Sequence, residues 1–212
     1  MLALGVASIG IWSMGLLDDI ENMSPAKKFL WQVVASVGLV AFGWRLLWLD
    51  NFVLDTLLSI FWIVGLTNAF NLMDNMDGAC TGVSLVILLF LSFIIPSPVV
   101  YALIGILSGF LIFNFPPAKL FMGDCGAYFL GLNLACLTMN MELGKTSVLL
   151  LLIPITDTTF VTIRRVLKGK SPARGGLDHI SHELYKVKGV YFVLLVLYSV
   201  SILSGLVTLF IL

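Results

Sequence analysis

Long apolar runs separated by short polar stretches organise the whole chain. Eight are legible, at 2–17, 28–48, 53–70, 79–95, 99–115, 125–142, 147–163 and 189–212. Most approach the roughly 20 residues an α-helix needs to cross the hydrocarbon layer. Several contain glycine, which membrane helices tolerate. Trp44 and Trp48, near one end of the second run, suit an interfacial aromatic belt. Pro96 and Pro98 predict a tight reversal between the fourth and fifth. The pattern predicts an all-α, polytopic membrane bundle of about eight transmembrane helices, a single domain over residues 1–212 with its polar chemistry on inter-helix loops. No internal repeat, low-complexity stretch or separate soluble domain interrupts it.

Composition agrees. The 212 residues are 59% hydrophobic and 11% charged, with mean hydropathy +1.06. A single soluble core cannot hide that much apolar surface. A formal net charge of zero excludes the basic footprint of a nucleic-acid binder. Cys80, Cys125 and Cys136 form no C-x-x-C pair, so they read as small packing residues. The first run lacks the basic stretch that precedes a signal sequence and is short for a span. It reads as a helix missing its beginning.

Charge then sets orientation. Alternating the eight runs across a membrane puts Lys27, Lys28, Lys119, Arg164, Arg165, Lys168, Lys170, Arg174, Lys186 and Lys188 on one side, and only Arg45 and Lys145 on the other. The basic side is the cytoplasmic one. The same alternation brings Asp18, Asp19, Asp74, Asp77, Asp124, His179 and His182 to that side, although charge bias and acid placement are separate observations.

Ionisable groups near a bilayer tend to persist where they meet a cation, a substrate or each other. Gly15-Leu-Leu-Asp18-Asp19-Ile-Glu-Asn22 closes the first run. Its adjacent carboxylates repel, and a cation relieves them. By itself the pair reads better as an acidic cap for the next helix. Asn68-Ala-Phe-Asn71-Leu-Met-Asp74-Asn-Met-Asp77-Gly78 repeats polar groups every third residue. An α-helix would wind them halfway round, whereas a 3₁₀ stretch would stack them along one edge. Such regular spacing favours function over a wetted helix end, and Gly78 permits a turn.

Asn114-Phe-Pro-Pro-Ala-Lys-Leu-Phe-Met-Gly-Asp124-Cys-Gly126 links two runs. Asp124 reads equally as a ligand-facing acid and as a plain N-cap. Ile153-Pro-Ile-Thr-Asp157 buries an acid that must pair, hydrogen-bond or be neutral. Arg164 and Arg165 beyond it read as membrane-edge anchors. The longest loop, Ser171-Pro-Ala-Arg174-Gly-Gly-Leu-Asp178-His179-Ile-Ser-His182, holds both histidines of the chain. Imidazole can donate to phosphate or shuttle a proton. Zinc has no support, because neither H-E-x-x-H nor a thiolate accompanies them.

Taken in order, G-L-L-D-D with S-P-x-x-K and Gln32, N-A-F-N-L-M-D-N-M-D-G, N-F-P-P-A-K-L-F-M-G-D-x-G, P-I-x-D-T with R-R, and the histidine loop resemble the polyprenyl-phosphate N-acetylhexosamine-1-phosphate transferases of glycosyltransferase family 4. That family includes the phospho-MurNAc-pentapeptide translocase and the GlcNAc-1-phosphate transferases of other envelope polymers. The resemblance implies a Mg2+-dependent enzyme, with Mn2+ as a substitute, at the cytoplasmic face of the cell membrane. There a polyprenyl phosphate attacks a UDP-N-acetylhexosamine and UMP leaves. It implies that Asp124 is a metal ligand, joined by Asn71, and that Asp18 and Asp19 act on the lipid phosphate. Asn71, Asp74 and Asp77 would line the nucleotide-sugar site, with Asp74 and Asp77 grouped with the catalytic residues. His179 and His182 would engage the diphosphate, and Lys28, Asn68 and Asn114 would bind substrate. A homodimer is compatible with it.

Two departures stand out. The histidine motif reads His179-Ile-Ser181-His182, with serine for one imidazole, which points to the GlcNAc-1-phosphate branch over peptidoglycan synthesis. The family also begins with two further helices, so the chain reads as truncated at its N-terminus, and residues 1–212 alone are expected to have little transferase activity. The rival readings are a secondary transporter, disfavoured by the missing repeat and by acids at run ends, and a non-catalytic fragment.

Overall fold

The computed structural model describes residues 2–139, 143–171 and 179–212. Each of the eight predicted runs contains helix, and no strand occurs among the described residues. The helices are α1 (Leu2–Glu21), α2 (Pro25–Ala41), α3 (Phe52–Met73), α4 (Ala79–Ile94), α5 (Pro98–Asn114), α6 (Gly123–Leu137), α7 (Ser147–Leu150), α8 (Leu152–Leu167) and α9 (Ile180–Ile211). Arg174 and Asp178 lie outside the described residues.

By length and composition α1, α3 and α9 can each cross a membrane. A 3₁₀ turn at Gly144–Thr146 with α7, followed by α8, is long and apolar enough only as a pair, bent by 71° at the break, as a broken span or a re-entrant loop would be. The apolar α4 and α5 have 16 and 17 residues, or roughly 25 Å of helix, against a hydrocarbon layer of about 30 Å. Of the helices in the eight expected runs, three or four thus have the length and composition of full spans by themselves, with shorter apolar helices beside them. The chain is an all-α, multi-pass membrane protein.

Local chemistry sets the boundaries. Asn22 ends α1 in the left-handed region, φ 51, and its N–H returns to the Asp18 carbonyl. Pro25 opens α2 where its missing N–H costs nothing. The second predicted run continued to residue 48, but α2 stops at Ala41 and Gly43 turns the chain away at φ 93. Trp44 and Trp48 therefore sit in the α2–α3 link, Trp48 edge-on to Trp62.

The helices form two compact units. In the first, α1 packs on α6 and α2. Small and polar residues mediate this, as expected where lipid removes the hydrophobic drive between helices. Ser8 and Asn133 exchange hydrogen bonds between α1 and α6, and Trp62 donates from α3 to the Ala135 carbonyl. In the second, α4 packs on α5 and α9, and α8 on α9. Tyr198 of α9 lies over Gly82 and donates to the Gly78 carbonyl.

Candidate active site

The first unit gathers one polar cluster at the C-terminal ends of α1 and α3 and the N-terminal end of α6. Asp18 is 4% exposed. Its carboxylate accepts from the Met23 N–H at 2.7 Å and from Lys28 Nζ at 2.5 Å. Lys28 Nζ also lies 3.5 Å from Asp124 Oδ2, and the Asp18 and Asp124 carboxyls meet. Asn71 Nδ2 donates to Asp124 Oδ1 at 2.8 Å.

Asp19 does different work. Its two oxygens accept from the Asp124 and Cys125 N–H groups at 2.8 and 3.2 Å. The adjacent pair thus divides its labour: Asp19 caps α6 from a distant part of the chain, and Asp18 faces Lys28. The same contacts bear on Asp124. It sits in the first turn of α6, and its carboxylate oxygens meet Asn71 and Lys28. With the cap supplied by Asp19, the Asp124 carboxylate is left to Asn71, Lys28 and Asp18.

Two glycines permit the approach. Gly123 adopts φ 65, and a Cβ there would meet Asp19 Oδ2 at 2.9 Å. A Cβ on Gly15 would lie 2.4 Å from the Cys125 Cα. Gly15→Ala is expected to push α1 off α6 and to cost about 1–3 kcal/mol. Melting in detergent should fall and transfer should fall with it, whereas Gly10→Ala, which meets nothing within 4 Å, should change neither.

The electrostatics follow from the crowding. Burial, then the Asp18 carboxyl, push the Asp124 carboxyl up to about 6 against the opposing pull of Asn71 and Lys28. Burial opposes the charged form of Lys28, but Asp18 and Asp124 outweigh it and hold its ammonium above the usual value. Among the described residues no three His, Cys, Asp or Glu side chains converge to hold a metal ion. The donors present are nevertheless all oxygens: two carboxylates and, once its amide turns, the Asn71 carbonyl. That set suits Mg2+ or Mn2+ with substrate phosphates and waters completing the shell, and does not suit an all-protein cage.

Asn68 behaves differently from Asn71. It exchanges hydrogen bonds with buried Gln32, at 2.5 and 3.3 Å, and also donates to the Val64 carbonyl. It pins α2 to α3. The four polar positions from Asn68 to Asp77 do not form a 3₁₀ edge: Asn68 and Asn71 are α-helical, whereas Asp74 and Asp77 lie in the turn beyond Met73.

The second unit holds the remaining candidates. Asp74 is half-buried in the turn. Gly78 turns the chain at φ 75, as expected. Asn114 is 3% exposed and staples the loop: it accepts from the Gly78 N–H and the Thr81 hydroxyl, and donates to the Leu120 carbonyl. Asp77 accepts from the Ala118 N–H at 3.0 Å. A cleft of about 350 Å³ opens beside it, lined by Met76, Pro116, Pro117, Tyr185 and Tyr191.

The acid expected to need a partner has one. Asp157 Oδ2 lies 2.8 Å from His179 Nδ1, and its Oδ1 accepts from the Ile180 N–H at 2.9 Å. Asp157 therefore caps α9 and orients the imidazole in one contact. His179 is 2% exposed, whereas His182, one turn on, is more open, with ring centroids 6.1 Å apart. Ser181 donates to Asn75 at 2.8 Å, and Arg164 pairs with Glu183 at 2.7 Å. Arg165 is 2% exposed, so it is a packed group and not the membrane-edge anchor expected. Asn75 escaped the sequence reading because no period or motif announces its distant partner, and Ser181 stood out there only as the serine in place of an imidazole.

Residues 1–142 match glycosyl transferase family 4. A Bacillus subtilis protein named "Probable undecaprenyl-phosphate N-acetylglucosaminyl 1-phosphate transferase" is 34% identical over 87% of the chain and 58% of its own length. The undecaprenyl-phosphate alpha-N-acetylglucosaminyl 1-phosphate transferase of Thermotoga maritima is 30% identical over 94% of the chain and 67% of its own length. The phospho-N-acetylmuramoyl-pentapeptide-transferase of Limosilactobacillus fermentum is 28% identical over 98% of the chain and 70% of its own length. The chain thus spans little more than half of the Bacillus relative. With the family match covering most of the chain and relatives following it nearly end to end, the protein belongs to glycosyl transferase family 4.

Proposed function

We propose that the protein transfers N-acetylglucosamine 1-phosphate from its UDP-sugar to a polyprenyl phosphate and releases UMP, in envelope polysaccharide synthesis. A lipid phosphate oxygen forms a bond to the β-phosphorus, and the bridge to the α-phosphorus breaks. UMP leaves with that electron pair. The observation that carries this reading is the freed Asp124 carboxylate, set against Asp18, Lys28 and Asn71 at the ends of membrane helices.

Such a transfer asks for positioning and charge neutralisation more than covalent chemistry. Asp124 and Asn71 would hold Mg2+, which supplies neutralisation of the phosphate oxygens when bound. Lys28 offers an ammonium, held between Asp18 and Asp124, that can turn to an incoming phosphate. A phosphate monoester with its second pKa near 6 is already largely ionised, so Asp18 need only orient Lys28. Asp19, Asn68 and Asn114 act by holding backbone and neighbours in place. Within the second unit, Asp157 and His179 hold the first turn of α9, which carries His182, the imidazole that the family resemblance assigns to the diphosphate.

The test uses membranes from cells producing the protein from its own gene, given radiolabelled UDP-GlcNAc, polyprenyl phosphate and Mg2+. Label should move to the lipid phase with equal release of UMP. Label that stays aqueous, or product independent of Mg2+, would overturn the reading. UDP-MurNAc-pentapeptide offered as competitor separates the two branches; Ser181 between the histidines supports the GlcNAc branch.

The charge distribution supports a cytoplasmic site in the plasma or inner membrane. A single cysteine at position 145 should react with an impermeant maleimide in intact cells, and one at 170 only after permeabilisation. The reverse labelling would refute this orientation.

A further inference from the structure

The end of α3 remote from Asn71 carries a second polar feature that phosphoryl transfer does not use. Phe52 and Asn71 are separated by roughly 30 Å along the helix, about the thickness of the hydrocarbon layer. At the Phe52 end, α2, the α2–α3 link and the start of α3 enclose a cavity of about 470 Å³. Its walls are mostly apolar, Val37, Val40 and Ile60 among them, with Arg45 and Thr56 as the polar lining.

The link is built, not loose. Asp55 is 2% exposed and accepts from the Trp48 and Leu49 N–H groups. Ser59 accepts from the Leu46 N–H. Asp55 Oδ1 takes both of its N–H groups and Ser59 takes the third, so these acceptors anchor the backbone that follows Arg45. The guanidinium then lies 4.4 Å from the Phe52 ring centroid, and its Nε is buried without a hydrogen-bond partner.

Thr56 shows the same want. Within the first unit Ser36, Ser59, Thr67 and Thr138 return their hydroxyls to the carbonyl one turn back. The Thr56 hydroxyl is buried with no partner at all. Two unsatisfied donors, one of them cationic, line one apolar cavity at a membrane interface. A buried guanidinium Nε–H and a buried hydroxyl on half-buried side chains there call for an anionic acceptor.

We propose that this cavity binds the phosphate of an anionic phospholipid in the leaflet opposite the Asp124 cluster. Arg45 Nε–H and the Thr56 hydroxyl would donate to phosphodiester oxygens, and an acyl chain would lie on Val37, Val40 and Ile60. Arginine suits this geometry because its fork matches phosphate oxygens. The exposed Phe42, Leu47 and Phe52 around the mouth would meet the same lipid layer, with Trp44 and Trp48 at headgroup level. This inference rests on α3 as a span and not on the transferase reading, so either can fail alone.

The experiment is native mass spectrometry of the delipidated protein in detergent, titrated with phosphatidylglycerol, with phosphatidylcholine, or with inorganic phosphate. The wild type should retain one phosphatidylglycerol, in preference to the other two. Arg45→Gln should weaken retention at least about 10-fold and Thr56→Val several-fold, the effect of a charged and a neutral hydrogen bond lost. Val40→Trp, which fills the cavity but keeps Arg45, should also abolish it. Equal retention of phosphatidylglycerol and phosphatidylcholine, or binding of free phosphate in their place, would overturn the proposal. So would retention unchanged in Thr56→Val and Val40→Trp, which carry the test if Arg45→Gln does not fold.

Discussion

Asp124→Asn is expected to lower transfer by about three orders of magnitude, the scale of removing an aligned charge from a phosphoryl-transfer site. The substitution keeps shape and leaves Asp19 capping α6, because that cap uses the backbone N–H groups of residues 124 and 125. It also removes a carboxylate whose ionised form burial and Asp18 both disfavour. Melting in metal-free detergent should therefore hold steady or rise while turnover collapses. Rate and melting measured on one preparation check this. Near-normal turnover at low Mg2+ would remove Asp124 from the metal role. A parallel fall in melting and rate would make the residue structural.

Asp157→Ala is expected to be the most damaging change in the second unit. It strips the acceptor from His179 Nδ1 and from the Ile180 N–H in a place closed to water. Loss of charged hydrogen bonds with donors left buried is worth about 3 kcal/mol. It should also unseat the first turn of α9, which carries His182. A displacement of about 1 Å at a reacting group can cost about 10²-fold in rate. Asp157→Asn keeps one acceptor oxygen and should fall between the two. A double-mutant cycle with His179→Gln provides the check. Strong coupling of the two changes is expected, whereas simple additivity would dissolve the proposed pair.

Much was legible from order and period alone. Apolar runs of span-like length determine helices wherever the backbone must satisfy itself in lipid, and each of the eight predicted runs holds one. Asp18, Asp124 and His179 stood out because acids and imidazoles are rare in so apolar a chain. The partner of Asp157 was demanded by the cost of burying a lone charge, yet it could not be named, because His179 lies 22 residues away.

What the tertiary structure decided was the division of roles among chemically equal residues. Asp18 and Asp19 are neighbours in sequence, but successive helix positions point about 100° apart. One carboxylate therefore meets Lys28 while the other reaches the backbone at Asp124 and Cys125, more than a hundred residues on. Asn68 and Asn71 separate likewise, one tied to Gln32 and the other turned to Asp124. Helix ends moved for a related reason: Gly43 turns the chain while Asp55 and Ser59 hold the link beyond it. Sequence determined which elements form and which residue types could carry chemistry. Only packing decided which of them face one another, because hydrogen-bond partners across helices follow side-chain direction and not spacing along the chain.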